Sequence, residues 1–168
     1  SPSRTSADSS APYTPAVARA AAQACASRTT KGQSRRSVPI ERFNIMPGGL
    51  AGPPLANQPE NGWWWNPAES GRGFFIEWQN GWFHIAGYMY DAAGRPTWYL
   101  SAYPSPDPMR ISGNWWLFGN GQAPGQPYRP AQRVNDNVGS LEVQFTNSTT
   151  GTLTLPDGRR VPFMRMPF

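Results

Sequence analysis

The single histidine of the 168-residue chain, His84, follows the carboxylate Glu77 with Asn80-Gly81 between them. If the chain reverses at Asn80-Gly81, the two side chains face each other across an antiparallel pair. A carboxylate beside an imidazole can serve acid–base work or orient a ligand. The plainer reading, an ordinary cross-strand polar pair worth a fraction of a kcal/mol, carries more weight. One histidine leaves no room for a histidine-based metal site or a proton relay. A Ser-His-Asp triad has no Gly-x-Ser-x-Gly elbow to build on. Gly71-Arg72-Gly73 precedes a strand pattern rather than a helix, so it reads as a tight turn and not a phosphate loop. Glu69 and Asp91 could be paired as the carboxylates of a glycosidase, but both sit in turn motifs where capping of backbone N–H groups explains them. Cys25, alone in the chain, permits no intramolecular disulfide and reads as a small apolar residue. Asn147-Ser148-Thr149 matches a glycosylation sequon, a match common by chance. No catalytic residue, metal ligand or cofactor is therefore assigned, and the expectation is a protein that is not an enzyme.

Binding is the chemistry left to the aromatic residues. All eight Trp lie between Trp63 and Trp116, six of them in the stretch Gly62–Leu100. Trp rings stack sugars or bases and dominate protein–protein hot spots. Because side chains alternate along a strand, the run Trp63-Trp64-Trp65 cannot turn all three rings to one side. The candidate binding residues are Trp63, Trp64, Trp65, Trp82, His84, Glu77 and Tyr88.

The elements that must position them can be derived. Asn80-Gly81 between aromatic and β-branched runs signals a type I′ hairpin, since that turn needs φ > 0 at both central residues. The two-residue loop predicts Gln79 opposite Trp82, Trp78 opposite Phe83, Glu77 opposite His84 and Ile76 opposite Ile85. Phe74, Ile76, Trp78, Phe83 and Ile85 then form an apolar core face. The other face carries Phe75, Glu77, Gln79, Trp82, His84, Ala86, Tyr88 and Tyr90. Asp91-Ala92-Ala93-Gly94 predicts a type I turn closed by a left-handed glycine, leading into a strand from Pro96 to Ser101. Further strands are expected at Ile111–Phe118, Val138–Thr146 and Gly151–Leu155, with Gly119–Gln132 a long loop. Pro156-Asp157-Gly158 predicts a three-residue loop placing Leu153 opposite Val161. In Val161–Phe168 the alternation would carry Arg165 inward, which a bulge near Met164 would repair. About seven or eight antiparallel strands in meander order make an all-β domain, a small barrel or a sandwich, with the barrel preferred.

Residues 62–168 resemble a family of uncharacterised secreted bacterial β-domains. The resemblance rests on Trp64-Trp65-Asn66-Pro67-Ala68-Glu69-Ser70-Gly71-Arg72-Gly73 and on Tyr90-Asp91-Ala92-Ala93-Gly94-Arg95-Pro96-Thr97-Trp98-Tyr99. It implies export and a β-rich fold, and it brings no reaction. Residues 1–61 lie outside it.

Composition divides the chain the same way. Residues 1–46 hold seven basic side chains against two acidic ones, the whole of the net charge of +5, so the pI near 9.9 belongs to the arm. The arm, 1–61, is basic and rich in Pro, Ala and Gly, with one short helix expected near 15–27 behind Thr14-Pro15. An Ala-rich helix of that length is marginal alone in water and needs a surface to lie on. Gly 17 and Pro 19 exclude a helical bundle. No run approaches the ~18 apolar residues that span a bilayer. The chain opens at Ser1 without an initiator Met, as an exported chain would after loss of a signal peptide, and as a product trimmed by other means would too. The first functional expectation is a structural subunit of an extracellular or cell-surface assembly or filament, self-associating through residues 1–61 docked on neighbouring copies. The alternative is a secreted carbohydrate- or small-ligand-binding module that uses exposed Trp. Other surface proteins or glycans are possible partners; nucleic acid is not expected, because charge and rings lie in different segments.

Overall fold

The computed structural model of the chain describes residues 37–45 and 52–168. The expected helix near 15–27 lies outside the described residues, as does most of the arm. Two compact units are distinguished, Ser1–Phe43 and Asn44–Phe168. Of the first, only residues 37–43 are described, and they form neither helix nor strand. The second contains an eight-stranded antiparallel barrel, and takes in residues 44–61 of the stretch read from the sequence as arm.

The strands are β1 Gly62–Trp65, β2 Gly73–Gln79, β3 Trp82–Tyr90, β4 Pro96–Pro104, β5 Arg110–Gly119, β6 Gln132–Phe145, β7 Thr150–Thr154 and β8 Arg160–Arg165. Each pairs with the next in sequence, and β1 pairs with β8 to close the ring. This is the meander expected, and closure decides for the barrel over the sandwich.

Local chemistry fixes the registers. Asn80 and Gly81 both take positive φ, 46° and 77°, and the pairing runs from Gln79↔Trp82 through Glu77↔His84 to Gly73↔Tyr88. In the next turn Gly94 sits at φ 75°. The Asp91 carboxylate there accepts the N–H groups of Ala93 and Arg95, each at 2.9 Å. Leu153 lies opposite Val161 as the glycine-closed loop predicts.

One set of alternating residues fills the inside. Trp64, Phe74, Ile76, Phe83, Ile85, Leu141, Leu153 and Val161 are buried to 1% exposure or less, as expected of an eight-stranded barrel just wide enough for side chains to fill it. Trp64 locks the seam where β1 meets β8. Its ring lies 5.0 Å from Phe163 and 5.3 Å from Phe145, and its indole N–H donates to the Glu60 carbonyl at 3.1 Å.

Two expectations are corrected. The bulge near Met164 is not formed: Thr150↔Met164, Gly151↔Phe163 and Trp64↔Arg165 continue one register. Arg165 does take the inward side, but at the barrel's last rung, where its guanidinium reaches out to the carbonyls of Asn61 (2.9 Å) and Met166. Gly62, at φ 124°, leaves the space: a Cβ there would lie 2.7 Å from the guanidinium. The second correction concerns Gly119–Gln132. Pairing between β5 and β6 extends to Gly119↔Gln132, with register shifts around Leu117, so the loop shrinks to residues 120–131. β6 starts at Gln132 rather than Val138, and its first six residues are exposed.

Candidate functional site

In an up-and-down barrel alternate connections share an end. Residues 66–72, 91–95, 120–131 and 155–159 therefore gather at one end, which we call the mouth, and the β2–β3, β4–β5 and β6–β7 connections at the other. The rings of Trp64, Phe145 and Phe163 pack against one another in the core. A cavity of about 740 Å³ opens at the mouth, within the range of small-molecule sites.

Its inner wall is made by Met89 of β3, Tyr99 of β4, Trp115 of β5, Val138 of β6 and Leu155. Trp115 is itself only 1% exposed, and its ring meets Tyr99 edge-on at 6.4 Å. The indole Nε1–H of Trp115 is buried without a hydrogen-bond partner in the protein. A buried donor left in that state costs about 1–3 kcal/mol.

The rim carries polar groups. Glu69, Ser70, Gly71 and Arg72 come from the β1–β2 connection, Tyr90 from the end of β3, Ala92 from the β3–β4 turn, and Pro156 and Asp157 from the β7–β8 loop. Glu69 Oε2 accepts from Arg72 and also from Arg159, the latter at 3.2 Å. Burial first, and then the neighbouring Arg159 charge, push the Arg72 pKa down, while Asp157 opposes the shift. The site is therefore an apolar, aromatic well edged by a collar of Glu69, Arg72 and Asp157, with Arg159 held beside it through Glu69.

No protein-family model, curated protein or solved structure matches the chain.

The residues singled out from sequence scatter over four places. Trp64 is a core residue with no exposed surface, so it is corrected out of any binding platform. Alternation turns its neighbours Trp63 and Trp65 outward. Trp63, 39% exposed, lies 5.6 Å from Phe75 and 5.2 Å from Tyr88, centroid to centroid. Tyr88 pairs with Trp98, and Trp98 stacks on Phe118 at 5.6 Å with the planes 4° apart. Five rings from five strands thus make a row on the outer wall. Tyr88 and Trp98 also line a shallow groove of about 270 Å³ with Gly71 and Tyr90. Trp65 is half-buried, its indole N–H enclosed without a partner in the protein.

Glu77, Trp82 and His84 sit on the outer face towards the Asn80-Gly81 turn, at the end away from the mouth. Gln79 Nε2 donates to Glu77 at 2.9 Å, and the N–H of Ile45 donates to Gln79 Oε1 at 2.8 Å. His84 is 8% exposed. Burial pushes its pKa down to about 4, against the raising effect of Glu77. At neutral pH it is an uncharged imidazole. Asp91 is held by Arg95 and its own turn, 2.8 Å from the Arg95 Nε, and Glu69 by two arginines, which leaves the glycosidase pairing without support. Among the described residues no group of three or more His, Cys, Asp or Glu could hold a metal ion, and no helix is long and apolar enough to cross a membrane.

The cavity residues were missed from sequence because they belong to three turns and four strands that only the closed topology assembles. A signal was nonetheless there. The stretches 64–73 and 90–99, carrying the resemblance noted above, supply Glu69 to Arg72, Tyr90, Ala92 and Tyr99.

Proposed function

We propose that this protein is a binding barrel whose small ligand seats in the mouth, between the β1–β2, β3–β4 and β7–β8 connections. The observation that carries the reading is the cavity of about 740 Å³, closed at its base by Trp115 and ringed by polar groups. It belongs to the small-ligand alternative drawn from the sequence, with the site moved from exposed Trp to the barrel's interior end. Export to the extracellular space is part of the proposal.

Thermal unfolding against a panel of sugars, aromatic acids and amphiphiles tests it. A ligand present at a hundred times its Kd stabilises the barrel by about 2.7 kcal/mol, a shift of several degrees. The shift should vanish in Val138→Phe, which narrows the cavity at its inner wall, and persist in Trp82→Ala at the other end. A panel with no active member, or a shift indifferent to Val138→Phe, sinks the reading.

A second reading, assembly with neighbouring copies through the arm, is favoured by the row Trp63, Phe75, Tyr88, Trp98 and Phe118, an aromatic strip with Trp63, Tyr88 and Trp98 exposed, of the kind that forms interface hot spots. Native mass is its test.

A further inference from the structure

Resting on the reading of the mouth as a ligand site, we infer that the ligand is an amphipathic anion: an apolar or aromatic body lodged against Met89, Tyr99, Trp115, Val138 and Leu155, with a carboxylate or related oxyanion at Arg72 and Arg159. The inner wall dictates the first half. All five side chains present apolar or ring surface, and an apolar body of drug size fits a cavity of this volume.

The collar dictates the second half. Both guanidiniums donate to one and the same oxygen, Glu69 Oε2. A guanidinium carries five N–H donors in a planar fork suited to bidentate carboxylate binding. One shared acceptor atom leaves most of that capacity unused, and it crowds two like charges together. Arg72 is the more enclosed of the two, its side chain 16% exposed against 51% for Arg159. Glu69, on the β1–β2 connection, then acts as the resident stand-in for the ligand's head group. An entering anion takes over both guanidiniums, and Glu69 swings to solvent. Asp157, on the β7–β8 loop with Arg159, sets the limit: a dianion would meet its repulsion, so a single negative charge is preferred. No bond is made or broken in this exchange.

Two fluorescent probes with the same rings separate the two halves. Anilinonaphthalene sulfonate is an amphipathic anion, and phenylnaphthylamine is its uncharged counterpart. Both should bind the full-length chain with one site at the mouth, abolished by Val138→Phe. Arg72→Gln and Arg159→Gln should each weaken the sulfonate by about tenfold, the scale of one charge-assisted hydrogen bond, and leave the neutral probe unchanged. Glu69→Gln should tighten the sulfonate several-fold, since it removes the competitor; a residue serving only the fold would not improve binding when replaced. Arg159→Gln, at the exposed position, keeps the comparison available if Arg72→Gln fails to fold. If both probes bind at the mouth and respond alike to the three collar substitutions, the anionic head group is overturned and the ligand site stands. If neither probe responds to Val138→Phe, the ligand site itself falls.

Discussion

His84 shows how an environment disarms a residue type. An imidazole is the one side chain whose ordinary titration falls near neutrality, yet burial on the outer wall keeps this one neutral down to about pH 4. The sign of the consequence follows from linkage. Between about 6.5 and about 4 the unfolded chain binds a proton at His84 that the folded chain refuses, so stability falls as pH falls through that window. The loss by pH 4 is on the order of 3 kcal/mol. Denaturant midpoints measured at several pH values between 7 and 4 should show this slope in the native sequence. They should show a flatter one in His84→Gln; equal slopes in the two proteins would assign the acid sensitivity elsewhere.

At the scale of elements, the first hairpin is where sequence and structure agree residue by residue. Asn80-Gly81 admits one turn type, and alternation admits one register that buries Phe74, Ile76, Trp78, Phe83 and Ile85 together. Gly81 bears the conformational demand, with φ 77° and open space where a Cβ would go. Gly81→Ala should therefore cost about 1–2 kcal/mol through backbone strain alone, read as a lower denaturation midpoint with unchanged slope. A cost near zero would mean the turn relaxes to another type. The second ribbon, β5–β6, was legible only in part. Val138–Phe145 alternates against the core, whereas Arg133–Asn137 has water on both faces and so carries no period to read. Arg165 misled for a related reason: alternation marks it inward, and only its place on the last rung lets the charged head escape into solvent.

For the whole molecule, closure is the feature that the sequence supports but cannot decide. Meander order and turn spacing suit a sandwich nearly as well, and pairing of Trp64 with Arg165 across the seam settles the matter. The same closure assembles the mouth, since Glu69, Tyr90 and Asp157 are remote in sequence and share a collar only once the ring is complete. The compact unit's boundary also shapes the assembly test. Ile45 is 1% exposed and its N–H is bound to Gln79, so an arm deletion should end at Phe43 to leave the barrel unit whole. If residues 1–61 join copies, the full chain should run in solution at a multiple of 18.5 kDa, and the shortened chain as a single copy. A full-length chain at the mass of one copy removes the assembly reading and leaves the ligand site untouched.

The mouth gives the barrel a direction. The core behind it is filled with buried side chains, so a guest seated beside Glu69 would leave the way it came. Such a vessel is suited to holding cargo and giving it up, not to conducting it. Release would then be governed by the few residues of three short turns, and substitutions there should alter how long a guest stays while the staves behind them keep their shape.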